Sequence, residues 1–181
     1  MTPPEEIAAG PILLRRWRAE DAPALNLAIL DSFEHLHPWM PWAAERPSLE
    51  QTEEVIAKPG DDFLYGMFSD GEVAGGCGLH WRRGLNVLEI GYWVALRHAR
   101  KGYARAAAGA LTEAALALPG IERVEIRCDE ANEASAAVPR SLGYRLDRVE
   151  PDAVLAPAET GRSMVWVKER LPPGDRGLSN P

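Results

Sequence analysis

The densest chemistry in this chain lies in Val94–Arg105, which reads Val-Ala-Leu-Arg-His-Ala-Arg-Lys-Gly-Tyr-Ala-Arg. Arg97, Arg100, Lys101 and Arg105 crowd into nine residues of a protein whose formal charge is −7. The stretch ends an apolar run and opens an alanine-rich one, which predicts a strand end followed by a helix N-terminus. Free backbone N–H groups at such a terminus, a glycine that lets the chain approach a ligand closely, and nearby cations together make an anion site for phosphate or pyrophosphate. A first helical turn ordinarily favours acids, so four cations there cost stability unless an anion is bound. The alternative is a solvated basic turn.

A second group is aromatic. Phe33, His37, Trp39, Trp42 and Trp81 could line a groove, because aromatic rings offer broad apolar contact with polar edges; each could equally be core or rim. His35 and His37 have no metal-ligand company at helical or hairpin spacing, so no metal is expected. Cys77 and Cys128 sit in apolar stretches outside any Cys-x-x-Cys spacing and read as small core residues rather than a redox pair.

The elements that must hold these residues follow from periodicity. Ile12–Trp17 predicts a strand and Glu20–Phe33 a helix with Leu25, Ala28, Ile29 and Phe33 on one stripe. Ser48 and Gln51 have capping-box spacing, so a second helix runs over Ser48–Lys58 and stops before Pro59-Gly60. Phe63–Phe68, Glu72–Trp81 and Val87–Val94 predict a meander of three strands, turned at Asp70-Gly71 and at Arg82-Arg83-Gly84. Tyr103–Leu118 is a helix with a small-residue face, Val124–Cys128 a strand, Asn132–Ser141 a helix, and Tyr144–Val149 and Ser163–Lys168 closing strands. The fold class is α/β of the α+β type: one domain over residues 11–170, order βααβββαβαββ, with a mixed, mostly antiparallel sheet and helices on both faces.

At 181 residues and 46% apolar, with 27 acidic against 20 basic side chains, the chain is ordered and carries no excess positive field to hold a nucleic-acid backbone. Prolines and glutamates make residues 1–10 look loose, as does the composition of residues 171–181. No window approaches a membrane span and no signal-like start is present, so a reducing cytoplasm is the expected location. Gly75-Gly76-Cys77-Gly78 lacks the third glycine of a dinucleotide fingerprint, and no Gly-Lys-Ser/Thr follows a glycine loop.

Four spaced blocks carry a resemblance. Glu89-Ile90-Gly91-Tyr92-Trp93-Val94, Arg100-Lys101-Gly102-Tyr103-Ala104, Asn132-Glu133-Ala134-Ser135 and Leu142-Gly143-Tyr144 together resemble the GNAT superfamily of N-acetyltransferases. Trp39-Met40-Pro41-Trp42 resembles its RimJ/RimL branch, which acetylates protein N-termini and some small amines. The resemblance implies acetyl-CoA as co-substrate, held in a notch where two central strands splay. Pantetheine would lie along Trp93, Val94 and Leu96, and pyrophosphate on the amides of Arg100, Lys101, Gly102, Tyr103, Ala104 and Arg105, with Arg97 nearby and Asn132 touching pantetheine or acting as an N-cap. The family pattern is Gln or Arg, two residues, Gly, one residue, Gly or Ala; Gly102 and Ala104 match it, Ala99 stands at the Gln/Arg position, and Arg100 stands where Gly is common.

Acyl transfer to an amine needs a free lone pair, a stabilised oxyanion and a proton for the leaving thiolate. The resemblance makes Glu89 the candidate base, with His35 in reserve; the other reading of Glu89 is a solvated strand residue. Many relatives carry a Tyr seven residues after the helix Asn, where this chain has Pro139, so Ser135 becomes the candidate acid, or else an ordinary helical serine. Pro139 also removes the helical donor to the Ser135 carbonyl. The expected activity is acetylation of a primary amine, foremost a protein or peptide N-terminus. A small-amine acetyltransferase and a non-enzymatic acyl-CoA-binding module are the alternatives, and a homodimer is left open.

Overall fold

The computed structural model describes residues 2–82 and 84–170. Eight strands form one sheet: β1 (Glu6–Ala9), β2 (Ile12–Arg16), β3 (Phe63–Ser69), β4 (Glu72–His80), β5 (Val87–Val94), β6 (Arg123–Asp129), β7 (Arg145–Pro151) and β8 (Arg162–Glu169). Their spatial order is β1-β2-β3-β4-β5-β6-β8-β7. Every neighbouring pair is antiparallel except β5 and β6. The helices are α1 (Ala22–Asp31), α2 (Phe33–Leu36), α3 (Leu49–Ala57), α4 (Tyr103–Ala117) and α5 (Glu133–Ser141). The mixed sheet is present and the expected elements follow in the expected order, with β1 and the short α2 added.

Two boundaries differ from expectation. Residues 1–10 were expected to be loose, yet Glu6–Ala9 is a strand, paired with β2 across the Gly10-Pro11 turn. Gly10 at φ +60 closes that turn, and the buried Ala9 gives the strand an inward side chain. The helix expected over Glu20–Phe33 breaks at Ser32, whose buried hydroxyl accepts from the Leu96 amide at 2.9 Å. The tail over residues 171–181 lies outside the described residues, as does Arg83.

The Ser48–Gln51 capping box is formed: Ser48 Oγ accepts from the Gln51 amide at 3.2 Å, and Gln51 Oε1 from the Ser48 amide at 2.8 Å. The small face of α4, with Ala107, Ala108, Leu111 and Ala115 buried, packs onto one side of the sheet against Leu88 and Ile90 of β5. On the other side Ala28 of α1 packs with Val73 and Trp93. Burial of alternating side chains from both faces is what fixes the register of β5.

That register creates the notch. β4 stays with β5 as far as Val94, whereas β6 pairs with it only over Val87–Ile90. From Gly91 onward β5 has no strand on its β6 side. The Ala95 amide donates to Ala74 at 2.9 Å, toward β4, so strand alternation turns the backbone groups of Trp93 and Gly91 toward β4 and those of Tyr92 and Val94 into the opening.

Candidate active site

An open cleft of about 880 Å³ runs from the β5–β6 splay to the helical layer of α1 and α3. Of the sequence-derived candidates it brings together Glu89, Trp93, Asn132, Ser135, Trp39 and Trp42. The two faces of β5 divide its chemistry.

On the α4/α5 face, Asn132 caps α5 by accepting from the Ser135 amide at 3.1 Å. Pro139 lies inside that helix, and the Ser135 carbonyl it leaves without a donor accepts instead from the Tyr92 hydroxyl at 3.0 Å. The same hydroxyl lies 3.3 Å from Ser135 Oγ. Burial pushes the Tyr92 phenol well above its ordinary range, so it stays protonated. A tyrosine hydroxyl thus lies beside Ser135 from a strand rather than from the helix, which sequence spacing along one helix did not reveal.

On the opposite face, Glu89 sits with its side chain 9% exposed, 3.3 Å from Arg82 and 4.0 Å from Arg127. Arg127, equally buried, also holds Glu125 at 3.3 Å and Glu150 at 2.7 Å. Beside Glu89 in the β4–β5 register stands His80, which sequence reasoning missed. Its Nδ1 is 2.7 Å from Asp62 Oδ2, while Asp62 Oδ1 accepts from the Trp81 amide at 3.3 Å. The glycine-rich strand now has a purpose. A Cβ on Gly78 or Gly91 would stand 3.2 or 3.1 Å from His80 Nε2, and one on Gly76 would stand 2.5 Å from Trp93 Nε1. Both rings occupy the space that glycine side chains leave open.

The aromatic candidates separate. Trp42 meets Trp93 at a ring distance of 5.8 Å and, with Trp39, lines the cleft. Phe33 and His37 stack on each other at 5.2 Å under Arg46, with His37 Nδ1 2.9 Å from the Ala43 carbonyl, and so brace the Trp39–Trp42 segment from outside the cleft. Trp81 is exposed and outside the cleft lining, and His35 is exposed on α2. Cys77 and Cys128 are free thiols; burial pushes Cys77 far up and Cys128 to about 11, which keeps both unreactive at neutral pH.

Beyond the strand end, Gly102 caps α4 in the left-handed region at φ +79 and offers no side chain, leaving the first helical amides open. Arg100 also adopts a left-handed φ of +63, which explains in conformational terms why glycine suits that position. Lys101, Arg100 and Arg105 are exposed around this turn. Arg97 is drawn aside to Asp31 at 3.8 Å and Glu72 at 3.6 Å, and the Leu96 amide is already taken by Ser32. Trp93 turns its backbone toward β4 and its ring to the Trp42 side. The strand backbone open to a ligand is therefore that of Tyr92 and Val94 rather than of Trp93 and Leu96.

His98 lies buried beneath the basic turn, stacked on Tyr103, with neither ring nitrogen hydrogen-bonded. Burial first, then Lys101 and Arg97, lower its pKa below the ordinary 6.5. The unfolded chain therefore takes up a proton before the fold does, and stability present above pH 6.5 is lost as the pH falls below it. The ligand-free protein is expected to unfold at a lower temperature at pH 5.5 than at pH 7.5, and His98→Phe should shrink that difference; an unchanged difference would assign it to other groups.

Comparisons with known proteins agree with this geometry. The model of the acetyltransferase (GNAT) domain matches residues 12–145. A Bacillus subtilis (strain 168) protein named as a ribosomal N-acetyltransferase, YdaF, is 31% identical over 142 residues, covering 74% of this chain and 77% of that protein. Among solved structures, RimL, a ribosomal L7/L12 alpha-N-protein acetyltransferase in complex with coenzyme A, superposes with a TM-score of 0.83 at 22% identity, covering 91% of this chain and 98% of its own. RimJ of Mycobacterium smegmatis gives 0.81 at 22% identity, with coverage of 93% and 90%. The microcin C7 self-immunity acetyltransferase MccE, in complex with acetyl-CoA and AMP, gives 0.80 at 19% identity, with coverage of 88% and 93%.

Proposed function

The chain belongs to the acetyltransferase (GNAT) domain family, and on that premise we propose that it transfers the acetyl group of acetyl-CoA to the α-amine of a protein or peptide in a ternary complex. The single observation that carries the reading is that the β5 edge left unpaired at the β5–β6 splay is followed along the chain by the left-handed Gly102 cap of α4. One stretch of chain offers an unpaired strand edge for an amide-bearing arm and, a few residues on, open helix amides for a pyrophosphate. The residues fit acetyl-CoA. Tyr92 and Val94 would hold pantetheine by backbone bonds, and the amides of Gly102, Tyr103, Ala104 and Arg105 would hold the pyrophosphate, with Arg100 and Lys101 adding charge. Asn132 would orient α5 beside the thioester.

Within the bound pair, Ser135 is assigned the proton for the departing sulfur. Its hydroxyl lies on the α5 side of the splay, beside Tyr92. The acceptor would enter from the opposite face, over Trp39, Trp42 and Trp93. Names of relatives support a protein N-terminus as acceptor: YdaF and RimL are both named for ribosomal targets. MccE, whose complex contains AMP, supports a small amine as the second reading. The reading extends to a cytoplasmic location, where free thiols persist, and to partners without nucleic acid; it leaves room for a homodimer.

The acceptor class is tested by offering acetyl-CoA with a panel of peptides of differing first residues, the same peptides with blocked α-amines, and polyamine and aminoacyl-nucleotide controls. Acetylation confined to free α-amines supports the first reading. Acetylation of the small amines with the peptides untouched replaces it with the second.

A further inference from the structure

We propose that His80, oriented by Asp62, is the general base that takes the proton from the acceptor amine; this rests on the acetyltransfer reading above. A carboxylate can only accept, so the 2.7 Å contact to Asp62 Oδ2 places the proton of the neutral imidazole on Nδ1 and leaves the Nε2 lone pair as acceptor. The second oxygen of Asp62 is held by the Trp81 amide, which fixes the carboxylate and through it the ring. Nε2 points along the sheet toward Gly91, the first residue of β5 beyond its last rung with β6. The ring therefore reaches the mouth of the splay on the acceptor face, across the strand from Ser135. One proton-handling group thus stands on each face of β5 at the splay.

Glu89, the candidate from the sequence, shares the cleft with Arg82 and Arg127. Both contacts engage its carboxylate with guanidiniums, and its place here is to position Arg127 under the splay. Among the described residues, the charged groups around His80 include Asp62 before β3, Arg82 after β4, Glu89 on β5 and Arg127 on β6, and the cleft lining further carries Glu45, Asp129, Asp152 and Glu159. The opposing surface of α1 and α3 contributes Leu25, Ile29, Thr52 and Val55, none charged.

The step balances as follows. The amine nitrogen forms a bond to the acetyl carbon and gives its proton to His80 Nε2. The carbon–sulfur bond breaks, its electron pair leaves with sulfur, and Ser135 protonates the thiolate before recovering a proton from water. His80 then returns its proton to solvent.

The test compares His80→Gln, His80→Ala, Asp62→Asn and Glu89→Gln with the unaltered protein, using acetyl-CoA and the best peptide from the panel. His80→Gln is expected to lower kcat by about 10²- to 10⁴-fold and to remove the acidic limb of the kcat–pH profile. Its Kd for acetyl-CoA should stay within about threefold, since the lost group acts on the acceptor. Imidazole in the buffer should restore part of the rate to His80→Ala, whose missing ring leaves space over Gly78 and Gly91. Asp62→Asn, which keeps the ring but loses its anionic anchor, should lower kcat more than it raises KM. Retention of rate and acidic limb in His80→Gln, or their loss in Glu89→Gln alone, overturns the proposal. So does a rate loss that tracks a fall in unfolding temperature with no rescue by imidazole. An unaltered protein that releases no thiol with any amine refutes the acetyltransfer reading itself, a result separate from any of the variants.

Discussion

Gly102→Val is expected to weaken acetyl-CoA binding by roughly 5- to 150-fold, the equivalent of about 1–3 kcal/mol of backbone strain at a position held in the left-handed region. At φ +79 a β-branched residue is disfavoured, so the turn shifts from the binding-competent shape to one the residue can adopt, and affinity falls with the competent fraction. Nothing stands within 4 Å of a Cβ there in the ligand-free protein. The loss therefore comes from conformation and from the ligand's approach, not from overpacking within the fold. Gly102→Asn should be milder, because Asn visits this region more readily. Calorimetry reads the affinity. The stabilisation of about 2.7 kcal/mol that the parent gains at 100 times its Kd should fall to between about 1.8 and 0.3 kcal/mol in the Val variant at the same ligand concentration. Unchanged affinity in Gly102→Val would remove the pyrophosphate from this turn.

Ser135→Ala is expected to lower kcat by about 10²-fold, the lower end for loss of a general acid, with acetyl-CoA affinity nearly intact. The interaction strengthens only as charge develops on sulfur, so it bears on the transition state rather than on the bound ground state. Tyr92→Phe is the informative companion. It orphans the Ser135 carbonyl that Pro139 left without a helical donor, so it should lower the unfolding temperature where Ser135→Ala does not. Weaker binding with unchanged kcat in Ser135→Ala would make Ser135 a ground-state contact. Unchanged values of both would leave water as the proton source.

Residues whose roles are local were the legible ones. The hairpin at Asp70-Gly71 shows positive φ at both positions, 51° and 81°, as that dipeptide implies. The capping box and the Gly102 turn are likewise written in a few adjacent residues. The His80–Asp62 pair is not. His80 ends β4 and Asp62 immediately precedes β3, so the two meet only through the β3–β4 register, which shifts by one between Met67 and Phe68. Without that bulge Asp62 would oppose Leu79, whose side chain faces the other side of the sheet, and no alternation pattern announces a bulge. The strand over Glu6–Ala9 was hidden for a related reason. Its stability comes from a partner strand rather than from a period of its own. The division of β5 between a Ser135 face and a His80 face also needs the register, because Glu89 and Tyr92 are near in sequence yet point to opposite sides.

One measurement bears most directly on acetyl transfer: the protein is mixed with acetyl-CoA and a free N-terminal peptide, and released thiol and acetylated peptide are quantified together by thiol titration and mass spectrometry. Acetyl transfer at the splay predicts one thiol for each acetyl group gained at the α-amine, with Gly102→Val and Ser135→Ala both slowed. Thiol released without acetylated amine, or no release across the whole amine panel while acetyl-CoA still binds, would contradict it and leave an acyl-CoA-binding module in its place.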